Sequence, residues 1–340
     1  MSDAASARAR SQRLLDERLT DVFAAVLESA GIQAQDQTAA ALSIRVRTSG
    51  LDRAAVESAL ARERSIVRLW AMRGTIHLVP SEDARWLVDL LGPLSLTASH
   101  RRLTQLGVPE ADRPRALAAI CTALAEHGPL TRSELMEHVA RAGIRTEGQA
   151  GAHLPQLAAL RGLVCFGPPR RGKPTYALRD DWLGPDLPQL PRERALSELA
   201  RRYVRAFGPA APQDFASWSG LPLRDAQAGW QAIARELIEV EHGWVPAGWV
   251  DETPPYPPVM RLLPAFDTYL LGYRMRDPMV PREHARGVWP GGGIVRPTVV
   301  ANGRCAGTWR RAGTRVEIEP FPGSWLAVDD EIADVRRFLS

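Results

Sequence analysis

Apolar residues recur every three to four positions along much of the chain, which is the spacing of helices with one buried face. Two such helices come first, over residues 11–30 and 51–63, and residues 38–49 between them form a further helix or a helix-to-strand transition. Residues 65–80 instead alternate apolar and polar side chains, which predicts two strands joined by a turn at Arg73-Gly74. Three helices followed by a hairpin are in the element order of a winged helix.

The same order returns a second time, with stronger local signals. Helices are predicted over residues 113–127 and 149–160, and Thr131 and Glu134 open another helix between them with the spacing of a capping box. Two apolar runs then flank a basic turn, as in the wing of a helix-turn-helix protein. The basic residues of this turn are Arg170, Arg171 and Lys173.

A third copy and a strand-rich tail complete the pattern. The third copy has helices over residues 193–207, 212–219 and 222–234 and a hairpin over 237–245. In the tail, strands are predicted within 260–273, 293–311 and 314–321, before a closing helix over 329–339. The sequence therefore predicts an α+β fold of three tandem winged-helix motifs and a β-rich C-terminal part. The predicted domains are residues 1–110, 111–185, 186–255 and 256–340.

The distribution of charge along the chain indicates the kind of partner that the protein binds. The chain has 43 basic and 39 acidic residues, a net charge of +4. The excess is concentrated, because the segment from Arg261 to Arg315 holds ten arginines against Asp267, Asp277 and Glu283, a local +7. Nucleic acid is the commonest partner for such a segment in a cytoplasmic protein.

Other sequence features narrow the class of protein. The chain has no apolar run long enough to span a membrane and no leader-like N-terminus, so we expect a cytoplasmic, nucleoid-associated protein. Cys121, Cys165 and Cys305 are far apart and lack the spacing of metal ligands. We therefore expect no metal and no cofactor. Since no heptad or dimerisation helix is visible, we expect a monomer.

One short motif stands out against this background. Gln33 and Gln35 follow the first predicted helix, and side chains at i and i+2 of an extended segment point the same way. Two amides on one side are able to hold a water or a polar base edge, or only to tie the turn to nearby backbone. Asp36 adds a carboxylate beside them, and capping of the next helix is the favoured interpretation of that residue.

Four strings in this order resemble a known family. They are GIQAQD (31–36), LWAMRGTIHLVPSED (69–83), RLLPAFDTYLLGYRMRD (261–277) and VANGRCAGTWRR (300–311). They resemble the bacterial winged-helix DNA-binding family that contains the AlkZ and YcaQ (AlkX) DNA glycosylases, and the likeness covers nearly the whole chain. Gln33-Ala34-Gln35 matches the Gln-x-Gln version of the catalytic motif, which is characteristic of the AlkZ branch.

The resemblance implies a DNA repair activity. A monofunctional glycosylase of this kind hydrolyses the N-glycosidic bond of N7-alkylated purines, including interstrand crosslinks made by genotoxic natural products, and so provides self-resistance to an antibiotic. Gln33 and Gln35 are then the catalytic pair. The DNA-binding candidates are Arg73, His77, Arg170, Arg171, Lys173, Arg274 and Arg276. Arg274 and Arg276 follow a turn that is DNA-facing in glycosylase relatives.

Each of these candidates has a plainer interpretation. Arg73 and His77 also fit a hairpin stabilised by surface polar groups, with His77 facing away from the apolar side. The basic turn of the second copy fits a solvated loop, although no acid lies near it in the sequence. Asp267 is expected to be structural, holding its own turn or a neighbouring arginine. A DNA-binding regulator without catalysis is the alternative function.

Overall fold

In a computed structural model the chain forms two compact units, one from the N-terminus to Glu57 together with Leu196–Ser340, the other Ser58–Ala195. The structure describes residues 3–275, 277–313, 315–324 and 326–340. In chain order the helices are α1 (Ala4–Ser11), α2 (Val22–Glu28), α3 (Gln37–Arg47), α4 (Arg53–Ala61), α5 (Ala84–Gln105), α6 (Asp112–His127), α7 (Arg132–Arg141), α8 (Ala150–Leu160), α9 (Arg179–Leu183), α10 (Arg192–Phe207), α11 (Pro212–Ser219), α12 (Leu223–Ala232), α13 (Thr268–Leu271), α14 (Ala285–Val288) and α15 (Asp329–Leu339).

The strands are short, and the hairpins that they form are antiparallel. They are β1 (Ile32–Gln33), β2 (Ile66–Trp70), β3 (Ile76–Pro80), β4 (Leu130–Thr131), β5 (Val164–Arg170), β6 (Lys173–Leu178), β7 (Leu237–Val240), β8 (Gly243–Pro246), β9 (Met260–Leu263), β10 (Thr298–Ala301), β11 (Arg304–Ala312) and β12 (Arg315–Pro320). Helices joined to small antiparallel sheets make the fold α+β, as the sequence predicts.

In the unit Ser58–Ala195, three helices pack around a small winged sheet. Helices α6, α7 and α8 precede the hairpin β5–β6, and β4 adds to the free edge of β6 to give the order β4-β6-β5. Trp70 extends the core, because its ring stacks on Phe166 at 4.8 Å and lies parallel to Tyr176. This stacking brings the hairpin β2–β3 against the hairpin β5–β6.

The other unit has an aromatic core and a four-stranded sheet. The rings of Tyr203, Phe207, Phe215 and Trp218, from α10 and α11, contact one another with centroids 4.9–6.3 Å apart. Within the described residues the sheet has the order β12-β11-β10-β9, and Asn302-Gly303 forms the turn that joins β10 to β11.

Two predictions of local structure are wrong. Residues 11–30 are not one helix: α1 ends at Ser11, Arg13 adopts a left-handed conformation, and α2 begins only after Asp21, whose carboxylate caps it. Residues 260–273 are not all extended, because Asp267 accepts a hydrogen bond from the Tyr269 backbone N–H and starts the short helix α13.

The helices of the described residues are all too short or too polar to cross a membrane.

Candidate active site

The C-terminal end of α2 directly precedes the glutamine motif. At the end of α2 the Gly31 N–H donates to the Val26 carbonyl at 3.0 Å and the Ala30 N–H to Leu27 at 3.0 Å, with Ala30 and Gly31 both at positive φ. This is the hydrogen-bond pattern of a Schellman ending, which reverses the chain direction within two residues. Residues 32 and 33 then run extended as β1.

The two glutamine side chains meet on one side of this extended segment. Ile32 and Ala34 are each 1% exposed and alternate with the glutamines, as extended geometry requires. The Gln33 Nε2 donates to the Gln35 Oε1 at 2.9 Å. Gln33 is buried and Gln35 is exposed. The predicted convergence of these side chains is therefore confirmed, and the hydrogen bond fixes the orientation of one amide relative to the other.

Asp36 caps helix α3 and is used in that role. Its Oδ1 accepts from the backbone N–H groups of Thr38 at 2.8 Å and Ala39 at 3.0 Å. These bonds satisfy N–H groups that the first turn of a helix leaves unpaired. The favoured interpretation of Asp36 as a cap is confirmed. The cap residue of α3 therefore directly follows Gln35, so the position of α3 affects where the two amides lie.

The first hairpin places Arg73 and His77 differently. Arg73 is exposed at the turn between β2 and β3, in a left-handed conformation. His77 is only 2% exposed, so it is not a surface residue of the hairpin, and the face of β3 opposite Ile76 and Leu78 is buried as well. Its Nδ1 donates to the Thr75 carbonyl at 3.0 Å. Burial, reinforced by the positive charge of Arg73, lowers the pKa of His77 to about 3, so the ring is neutral at pH 7.

The wing of the unit Ser58–Ala195 carries its basic residues as predicted, but with an acid beside them. Arg170 and Lys173 are paired across β5 and β6, and Arg171 lies in the turn between them at positive φ. Arg170 forms an ion pair with Glu134, a contact that sequence distance concealed. Hydrogen bonds from Thr131 lower the pKa of Glu134, and the charge of Arg170 lowers it further. Arg171 and Lys173 are exposed.

Of the two C-terminal arginine candidates, the structure describes only Arg274. The side chain of Arg274 is exposed, while its backbone N–H donates to Asp214 at 2.9 Å and holds the segment in place. Arg276 lies outside the described residues. Gln33, Gln35 and Arg274 belong to one unit of the fold, and Arg73, His77, Arg170, Arg171 and Lys173 belong to the other.

Helix α3 also carries buried charges that the sequence did not single out. Arg47 and Asp267 are fully buried and form a two-point ion pair, so the expectation that Asp267 holds a neighbouring arginine is confirmed. Arg45 is 1% exposed and pairs with Glu331. The sequence did not single out these arginines, because 42 of the 43 basic residues are arginine and no individual arginine stands out. The described residues contain no cluster of three or more His, Cys, Asp or Glu able to hold a metal ion.

The fold as a whole can be compared with those of solved structures. A solved structure of the Streptomyces sahachiroi DNA glycosylase AlkZ superposes with a TM-score of 0.82 over 98% of this chain and 95% of that chain, at 26% identity. A protein described as an interstrand DNA cross-link repair glycosylase, also from Streptomyces sahachiroi, is 30% identical over 330 residues, covering 90% of this chain and 88% of that protein. The profile of the DNA glycosylase AlkZ-like family matches residues 26–338. The chain belongs to that family.

Proposed function

We propose that this protein is a monofunctional DNA glycosylase that hydrolyses the N-glycosidic bond of N7-alkylated purines in double-stranded DNA, including bulky adducts and interstrand crosslinks. The observation that carries the proposal is the hydrogen-bonded pair of Gln33 and Gln35 at the entrance to α3. Membership of the AlkZ-like family supports it, as does the relative described as a cross-link repair glycosylase.

The substrate needs little help from a strong base. An N7-alkylated purine is cationic, so when the C1′–N9 bond breaks its electron pair returns to N9 and neutralises the base. The sugar is left with oxocarbenium character. Water adds through its oxygen to C1′ and releases a proton to solvent. The enzyme therefore has to position a water and stabilise positive charge near C1′.

Neutral amides suit this task. A glutamine has no pKa that would make it a general base, but its carbonyl dipole orients a water and stabilises nearby positive charge. We assign the water to Gln33, whose amide is buried and oriented by its bond to Gln35. Exposed Gln35 contacts the water or the sugar from the same side. Asp36 is assigned no catalytic part, because its Oδ1 already caps α3.

We further propose that the protein binds DNA as a monomer through three winged-helix motifs and a C-terminal β-rich part, with the predicted boundaries 1–110, 111–185, 186–255 and 256–340. The order α6-α7-α8-β5-β6 supports this for the second motif. Exposed Arg73, Arg171, Lys173 and Arg274 contact phosphates, with Arg276 as a further candidate. Arg170 contributes less because Glu134 partly neutralises it.

His77 supports the first hairpin from inside, because its buried ring is out of reach of DNA in this structure. We also propose attack on the adduct in place, without base flipping, because a base crosslinked to the other strand cannot swing out freely.

The test is excision from a defined duplex. Wild-type protein is incubated with DNA carrying a single 7-alkylguanine or a natural-product crosslink, and abasic sites are detected as alkali-labile breaks. Gln33→Ala and Gln35→Ala are expected to slow excision by about 10²-fold or more, as for loss of a positioned electrostatic group. Gln37→Ala is the matched control, since Gln37 is exposed on α3 only two residues further on and should leave the rate unchanged.

Two outcomes contradict the proposal. Absence of abasic sites with wild-type protein, while DNA binding persists, would favour the non-catalytic regulator. Equal rates for wild type, Gln33→Ala and Gln35→Ala would show that the excision is real but that the glutamine pair is not its centre.

A further inference from the structure

Helix α3 is fixed to the rest of its unit by two separate groups of buried charges near its C-terminal end. Arg47 lies at the centre of the first group. Its Nη1 and Nη2 donate to the two carboxylate oxygens of Asp267, each at 2.9 Å, and both side chains are fully buried. Nη1 also donates to the Ser43 carbonyl and Nη2 to the Gln12 Oε1. Two parallel bonds to one carboxylate fix direction as well as distance.

Arg45 lies at the centre of the second group. Its Nη2 donates to the Glu331 Oε2 at 3.0 Å and to the Leu262 carbonyl at 2.9 Å, and its Nη1 to the Asp334 Oδ2 at 3.1 Å. Glu331 in turn accepts from the Leu262 backbone N–H at 3.0 Å and pairs with Arg18. This group connects α3 to strand β9 and helix α15.

The two groups hold different sides of the helix. Residues two apart on an α-helix are rotated by about 200° from each other. Contacts on one side alone would leave the helix able to roll or tilt, whereas contacts on nearly opposite sides oppose both movements. Gln35 adjoins the cap residue of the same helix, and Gln33 is bonded to Gln35. Any roll of α3 would therefore displace both amides.

The choice of buried ions, in place of apolar residues, indicates that orientation matters here. Well-packed apolar side chains of similar volume often stabilise a fold as well as a buried ion pair does. Apolar contacts, however, lack direction and tolerate sliding. Ion pairs with several hydrogen bonds require one geometry. A site that positions a water needs such a fixed geometry, because displacement of a catalytic group by about 1 Å can slow the reaction by about 10²-fold.

We propose that Asp267 and Glu331, acting through Arg47 and Arg45, are positioning residues for the glutamine pair. In this protein the C-terminal part thus sets the geometry of the catalytic motif as well as binding DNA. The proposal rests on the proposed function. Neither carboxylate touches substrate, and each acts by fixing the helix that follows Gln35.

The test uses variants that remove charge while keeping shape. Asp267→Asn and Glu331→Gln are compared with wild type at a temperature where circular dichroism shows all three folded. Single-turnover excision is expected to slow by about 10- to 100-fold, while the affinity for the same duplex stays within about twofold. Glu57→Gln, which breaks the exposed pair with Arg53, is the matched control and should leave both quantities unchanged.

A readout that does not depend on activity makes the test specific. The side-chain NH₂ signals of Gln33 and Gln35 are assigned in NMR spectra from the corresponding alanine variants. In Asp267→Asn both pairs of signals are expected to shift or broaden, and in Glu57→Gln they should not. If Asp267→Asn does not fold, Ser43→Ala removes one hydrogen bond to the same carboxylate and takes its place.

The outcomes separate the two proposals. Unmoved glutamine signals together with an unchanged excision rate in Asp267→Asn and Glu331→Gln would overturn the positioning role. So would losses of affinity that match the losses of rate. Complete absence of excision by wild-type protein would overturn the proposed function instead, and the NMR comparison would still decide whether the buried pairs hold the amides.

Discussion

At the scale of single residues, burial determines the chemistry of His77. Its ring is buried on strand β3 and donates to the Thr75 carbonyl. Burial and the charge of Arg73 lower its pKa from 6.5 to about 3. Protonation is thus disfavoured in the folded state but not in the unfolded state, and this difference makes stability depend on pH.

We predict that stability falls as pH falls below about 6.5 because of His77. Between the unfolded pKa of 6.5 and the folded value of about 3, the unfolded chain binds more protons than the folded chain. The free energy of unfolding should therefore decrease on acidification, by up to about 1.4 kcal/mol per pH unit. Urea unfolding at pH 7.5, 6.5 and 5.5 measures this slope.

The slope should be much shallower in His77→Asn, whose side chain is neutral at all these pH values. His127→Asn is the control, because His127 is about half exposed and its replacement should leave the slope as in wild type. A slope in His77→Asn that equals that of wild type would contradict the assignment.

Residue-level predictions from sequence succeeded where the interaction is local. The Asp36 cap and the Thr131–Glu134 capping box involve groups within three residues, so spacing alone reveals them. The burial of His77 and the pairing of Arg170 with Glu134 depend on other elements. No short-range pattern contains that information.

At the scale of elements, the amphipathic helices were found most accurately. Helix α15 and helix α11 have the predicted bounds, and α6 and α8 each begin one residue from the predicted start. Helix α1 was missed, because it is alanine-rich and buried on most sides and so shows no apolar stripe. Its position is determined by long-range contacts, such as that of Ser6 with Asn302.

The packing of α1 against the β10–β11 turn predicts the effect on stability of a substitution at Gly303. Gly303 has φ 86°, and a Cβ there would lie 2.4 Å from the Ala5 carbonyl oxygen and 2.8 Å from both Ala9 Cβ and Tyr269 Oη. Gly303→Ala is therefore expected to push α1 from the sheet and to destabilise the fold by about 2–4 kcal/mol. Denaturant unfolding followed by circular dichroism measures the loss.

The next hairpin supplies the control. Gly313 has φ 64° at the end of β11, and a Cβ there would meet no atom within 4 Å among the described residues beyond its chain neighbours. Gly313→Ala should cost only about 1–2 kcal/mol, the penalty for a left-handed alanine. Equal losses for the two variants would show that α1 does not press on the turn.

At the scale of the whole molecule, the sequence predicts the distribution of charge and the fold class better than it predicts which buried charges pair. The local +7 between Arg261 and Arg315 is visible in the sequence, and the α+β class follows from the alternation of helical and extended patterns. The pairing of buried charges around α3 was not visible, because Arg47 and Asp267 are 220 residues apart. The sequence therefore indicates DNA as the partner and singles out the glutamine pair, but it does not reveal the buried charges that pair with α3.

The wing provides the last prediction, on binding to undamaged duplex DNA. Each phosphate contact releases counterions, so Arg171→Ala and Lys173→Ala should each reduce the slope of log Kd against log salt by about 0.9. Arg115→Ala is the control, because Arg115 is already paired with Asp112 on α6 and should leave the slope unchanged.

A substitution of Glu134 should change DNA binding in the opposite direction. Glu134→Gln keeps a side chain that is compatible with a capping box but removes the negative charge beside Arg170. If the wing lies on the phosphate backbone, this variant should bind more tightly and with a steeper salt slope than wild type. Unchanged binding in Glu134→Gln, together with unchanged slopes in Arg171→Ala and Lys173→Ala, would place the wing outside the DNA interface.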